Sequence, residues 1–81
     1  MIRNIELKYD RDIHPDAGAD ARHKNAVNNW LSELTYDLNN ENAVVEYYIA
    51  KNGNNHITFR NISPQLHRKA IEELARFNIH T

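Results

Sequence analysis

Cysteine is absent from this 81-residue chain, and glycine and proline occur only twice each. The first absence excludes disulfide frameworks and thiolate zinc sites, and it is compatible with the reducing cytoplasm expected as the chain's location. Two glycines, Gly18 and Gly53, cannot build a glycine-rich phosphate loop. No apolar run approaches the roughly 18 residues of a membrane span, and no signal-peptide pattern opens the chain. A net charge of −1 supplies no field that would draw the molecule to nucleic acid or to an acidic membrane. Serine is scarce too: Ser32 and Ser63 are the only two, which leaves little for a serine nucleophile.

What is present argues for folding. Hydrophobic residues make up 41% of the chain, with one tryptophan and four tyrosines. A chain this short buries only about 60% of its unfolded surface, so a single modest core and one compact domain over 1–81 are expected. Asparagine is abundant, at twelve residues, and suits turn positions because its side chain bonds nearby backbone.

The periodicity divides the chain into five elements. "IRNIELKY" at the N-terminus alternates, placing Ile5, Leu7 and Tyr9 on one face and Asn4, Glu6 and Lys8 on the other, which is a half-buried strand. From Asn25 the step changes to three and four, through Val27, Trp30, Leu31, Leu34 and Leu38. That pattern predicts one amphipathic helix from about 16 or 19 to about 39, with Pro15 suited to its first turn and "NNEN" ending it. "AVVEYYIA" predicts a strand with Val45, Tyr47 and Ile49 inward and Val44, Glu46 and Tyr48 outward. The Asn52-Gly53 pair signals a hairpin, and "HITFRNI" returns with Ile57 and Phe59 inward and His56, Thr58 and Arg60 outward. Ser63 and Pro64 open a second helix, whose stripe is Leu66, Ala70, Ile71, Leu74 and Phe77, and Asn78 ends it. Lys69 and Glu73, four apart, can pair on its solvated face.

The order β-α-β-β-α implies an α+β fold, with two helices on one face of a three-stranded mixed sheet. Strand 1 is expected beside strand 3, in sheet order 1-3-2. The opposite face then has no helix to cover it.

Two regions are candidate sites. "YDRDIHPDAGAD" concentrates four aspartates and a histidine, and Asp10, Asp12 and His14 could offer oxygen and nitrogen ligands to a divalent ion. It lacks the ligand order of an EF-hand and the paired histidines of a helical zinc site. The simpler reading is a polar strand-to-helix loop, with Asp16 and Asp20 near a helix N-terminus. The five histidines have no ligand spacing within one element, so no catalytic, cofactor or metal residue is assigned. The second region is the bare sheet face with the "KNGNN" tip. Lys8, Glu46, Tyr48, Lys51, Asn52, Asn54 and Arg60 are its candidate partner-binding residues. Tyr36 lies off its helix's stripe as a further exposed aromatic.

The order of elements and the length resemble the DinI family of small damage-inducible modulators of the recombinase RecA. "HPDAGAD" resembles the Leu-Pro-x-Gly-Ala entry to their first helix, and "NNHITFRNISPQLHRKAIEEL" resembles their third strand, turn and second helix. The resemblance implies the same fold and a protein partner. It fails at the last helix, which is strongly acidic in that family and here reads "LHRKAIEELARFNIHT". Size and composition also admit a phage-encoded anti-defence inhibitor of the anti-CRISPR type. The function expected is therefore a small non-enzymatic modulator or inhibitor that binds a macromolecule, foremost a protein. The alternative is a nucleic-acid-binding module using the same face with Lys51, Arg68 and Lys69, and the third is metal-dependent activity at Asp10, Asp12 and His14.

Overall fold

A computed structural model describes residues 1–81. The elements are β1 (Ile5–Tyr9), α1 (Ala19–Trp30), a 3-10 turn (Ser32–Leu34), α2 (Thr35–Asn40), β2 (Val44–Ile49), β3 (His56–Arg60) and α3 (Pro64–Ala75). The fold is α+β, with a three-stranded mixed sheet and the order β-α-α-β-β-α. No helix is long and apolar enough to cross a membrane.

The sheet order is β1-β2-β3, with β1 parallel to β2 and β2 antiparallel to β3. This corrects the expected order 1-3-2. The physical reason lies in β2, the most apolar strand: Val45, Tyr47 and Ile49 are all buried, and the centre of a sheet is the position that hides them best. The inward rows are those that alternation predicted. Val45, Tyr47, Ile49 and Ile57 join Val27, Leu31, Leu34, Leu38, Leu66, Ala70 and Leu74 in one core, with Ile5, Leu7, Tyr9 and Phe59 packed at its margin. All helical contributions come to that one face, so the reverse face is uncovered.

The expected single helix over 16–39 is broken. It begins at Ala19, behind Gly18, and Pro15 lies outside it. Leu31 and Leu34 leave helical geometry (φ −111° and −107°), and a 3-10 turn joins α1 to α2. The segment Asn28-Asn29-Trp30 and Ser32 are weak helix formers, so packing of Leu31, Leu34 and Leu38 sets the path instead. Trp30 is half-buried at the margin, set edge-on to Tyr47 at 5.6 Å. The α2 end is stopped by Asn42 in the left-handed region (φ 55°), and the Ala43 N–H returns to the Leu38 carbonyl at 3.0 Å.

Helix α3 starts as the sequence predicts. Ser63 Oγ accepts from the Leu66 N–H at 3.3 Å and Pro64 fills the first turn. Its buried stripe is narrower than expected, comprising Leu66, Ala70 and Leu74. Ile71 and Phe77 are exposed, at 36% and 43%. Strands of five and six residues offer too little sheet for a second row, and Phe77 lies beyond the helix end. There Asn78 (φ 59°) reverses the chain and the Ile79 N–H returns to the Leu74 carbonyl. Glu73 pairs with Arg76 at 3.0 Å rather than with Lys69. The reversed tail then lays His80 along β3, where its carbonyl accepts from the Ile57 N–H at 2.9 Å.

Candidate functional site

The strand pleat sends Glu6, Lys8, Glu46, Tyr48, His56 and Arg60 to the uncovered face. Register brings Glu6 opposite Glu46, Lys8 opposite Tyr48, and Tyr48 opposite His56. Two like charges side by side are unfavourable unless a cation joins them. Arg60 does so: its Nε donates to Glu46 Oε1 and its Nη2 donates to both oxygens of Glu6. Lys8 Nζ adds a contact to Glu46 Oε2 at 3.3 Å. The Arg60 hydrogen bond, with Lys8 second, holds the Glu46 carboxyl below its ordinary range, and Glu46 in turn raises the Arg60 guanidinium. Three of the seven candidate residues, Lys8, Glu46 and Arg60, are thus joined in a ribbon of alternating charge.

The other four meet at the end of that face. The β2–β3 connection is not a two-residue hairpin. It spans residues 50–55, because the register pairs Tyr48 with His56. The Gly53 N–H closes a turn on the Ala50 carbonyl at 3.1 Å, and Gly53 takes φ 84°, the position where glycine is needed. Asn52 Oδ1 accepts from the Asn54 N–H at 3.0 Å. Asn55 braces the loop from below, accepting from the Ala50 N–H at 2.8 Å and donating to the Tyr47 hydroxyl at 3.0 Å. The result is a shallow depression of about 640 Å³ lined by Asp10, Tyr48, Ala50, Lys51, Asn52 and Asn54. Its aromatic wall is fixed, since the Tyr48 ring stacks on the His56 imidazole at 5.0 Å and 20°.

Asp10 and Asn55 were not among the partner-binding residues expected. Asp10 sits in the depression because Tyr9 pairs with Ile49, which brings the two strand ends level. Asn55 was hidden among its neighbours in an asparagine-rich loop, and only its hydrogen bonds distinguish it.

The early aspartates are engaged separately, with only Lys51 shared between two of them. Asp10 Oδ1 accepts from the Arg11 N–H, and Oδ2 from the Lys51 N–H at 3.4 Å. Asp12 pairs with Lys51 Nζ at 3.3 Å. Asp16 takes Arg22 at 3.0 Å and the Gly18 N–H at 3.0 Å, and these bonds hold its carboxyl below the ordinary range. Asp20 accepts from the Tyr9 hydroxyl at 2.5 Å. The structure does not bring Asp10, Asp12 and His14 together as ligands, and no group of three His, Cys, Asp or Glu side chains converges anywhere. His23 instead lies between the Tyr9 and Tyr47 rings, at 5.9 and 5.5 Å.

Compared with family models, curated proteins and solved structures, the chain matches none.

Proposed function

We propose that this chain is a small non-enzymatic modulator or inhibitor that acts by docking on a protein partner. The observation that carries this reading is the depression at the end of the uncovered sheet face, in which Tyr48, Lys51, Asn52 and Asn54 converge. A rigid aromatic wall with an amide rim suits a protein surface, because such a ring buries area at little entropic cost and the rim exchanges water for hydrogen bonds. The charges nearby favour protein over nucleic acid. Arg60 and Lys8 are engaged by Glu6 and Glu46, and Lys51 by Asp12, so phosphates would have to compete with carboxylates already in place. DinI-like and anti-CRISPR-type proteins are two kinds of modulator that this reading accommodates.

The test is affinity capture from a lysate of the source organism, with the wild-type chain beside Tyr48→Ala/Asn54→Ala. The expected result is one enriched protein, retained between about 50 and 200 mM salt and lost from the variant, which still unfolds cooperatively well above the assay temperature. Capture of oligonucleotide alone, falling steeply over that salt range, overturns the reading.

A further inference from the structure

The outer edge of β1 is a separate surface. The Val45 N–H donates to the Asn4 carbonyl and the Asp10 N–H donates to the Ile49 carbonyl. In a parallel ladder this parity commits the even-numbered residues of β1 to β2. The N–H and C=O groups of Ile5, Leu7 and Tyr9 therefore point away from the sheet, and β1 has no strand on that side. The side chains of the same three residues are only half-buried, whereas their partners Val45, Tyr47 and Ile49 are buried.

The sequence of this edge, Ile5-Glu6-Leu7-Lys8-Tyr9, is complementary to itself when reversed about Leu7. We propose that β1 pairs antiparallel with β1 of a second copy, centred on Leu7, to give a two-fold dimer with a continuous six-stranded sheet. In that register Leu7 faces Leu7 of the second copy and Ile5 faces Tyr9. These are the residues whose backbone groups are free, so each facing pair exchanges both hydrogen bonds. On the uncovered face Glu6 stands opposite Lys8 of the second copy, and Lys8 opposite Glu6. Those closely spaced pairs extend the ribbon already formed with Arg60 and Glu46.

Charge also selects the register. A slip of one residue turns the apolar row outward. A slip of two sets Glu6 against Glu6 or Lys8 against Lys8, which like-charge repulsion disfavours. The helices leave room. His23 touches both Tyr9 on β1 and Tyr47 on β2, so α1 lies over the groove between those strands. Two such helices related by the dimer axis stand about two strand spacings apart, roughly 10 Å, which is an ordinary helix packing distance. A five-residue ladder is small for an interface, so a dissociation constant on the order of 10–100 μM is expected.

Sedimentation equilibrium tests the proposal on the full chain. The wild type is expected to reach twice the 9.5 kDa chain mass as concentration rises. Glu6→Lys and Lys8→Glu should each weaken association at least tenfold. An equimolar mixture of the two should recover it, because every facing pair is again opposite in sign. A wild type that stays monomeric at about 1 mM, or single variants that associate as well as wild type, overturns the proposal. Since Glu6 also binds Arg60, thermal melts of each variant separate a fold defect from lost association, and a second pair of variants tests the register covalently. Glu6→Cys and Lys8→Cys place their Cα atoms about 4.5 Å apart across the interface, within disulfide reach, in a chain with no other thiol. Mild oxidation of the mixture should give the mixed disulfide well in excess of its share in the random 1:2:1 distribution. Yields at that random ratio overturn the register.

Discussion

Glu6 and Glu46 face one another across the parallel β1–β2 pair, and Arg60 from the third strand binds both. One side chain therefore spans the whole width of the sheet. Arg60→Ala is expected to lower the melting temperature by leaving two carboxylates side by side. Adding Glu6→Gln should recover part of that loss, and high salt should shrink both effects. Thermal melts of the two variants at low and high ionic strength check this.

The depressed Glu46 carboxyl ties the same ribbon to pH. A group held below its ordinary value of 4.5 contributes stability above that pH and loses it as pH falls through the lowered value. Glu46→Gln should therefore melt below wild type at neutral pH, and the gap should close on acidification below about pH 4.5. A melting series from pH 7 to pH 2.5 reads the convergence.

Tyr9 carries the opposite linkage. Desolvation at its half-buried position, reinforced by the hydrogen bond to Asp20, pushes its hydroxyl from 10.0 up to about 12. Its contribution is complete below pH 10 and is lost as pH climbs toward about 12. In an ultraviolet phenolate titration, one of the four tyrosines should ionise late, and Tyr9→Phe should abolish that step.

Ser63 joins two structures at once. Its Oγ caps α3 through the Leu66 N–H, and its N–H and hydroxyl both donate to Glu41, at 2.8 and 2.9 Å, just after α2. Ser63→Ala should cost about 1–2 kcal/mol, at the upper end for a lost cap. Glu41→Gln, which keeps an acceptor for the Ser63 N–H, should cost less. Denaturant unfolding separates the two.

The helical break shifts weight from tryptophan to leucine. Leu31 is fully buried at the turn between α1 and α2, while Trp30 sits at the core margin. Leu31→Ala should cost about 3–5 kcal/mol, and Trp30→Ala less than that. Equilibrium denaturation of both variants gives the ranking.

Much of this architecture was legible because two signals are local. Alternation in "IELKY", "VVEYYI" and "HITFR" identified the inward rows, and the Ser63-Pro64 signal marked the start of α3, while Asn78 marks the chain reversal three residues after its end at Ala75. Strand order was not local. It depends on which strand gains most from being central, and the burial of β2 decides that. The break at Leu31 was masked because Val27, Leu31, Leu34 and Leu38 keep helical spacing through it. Of the candidate site, the uncovered face followed from the pleat. Its charge ribbon and its depression required knowing that β1 lies beside β2, which brings Glu6 to Glu46 and the strand end of Asp10 to Lys51.

The tail that sets His80 against Ile57 makes the two rims of the sheet unequal. One rim carries a guard supplied by the chain's own last residues, while the other is bare. In the proposed dimer both bare rims are used up, and the rim that remains outward on each side carries the single tail bond at Ile57. That bond occupies a donor that strand addition would need, so removing residues 79–81 is the change that would free a fresh growing end.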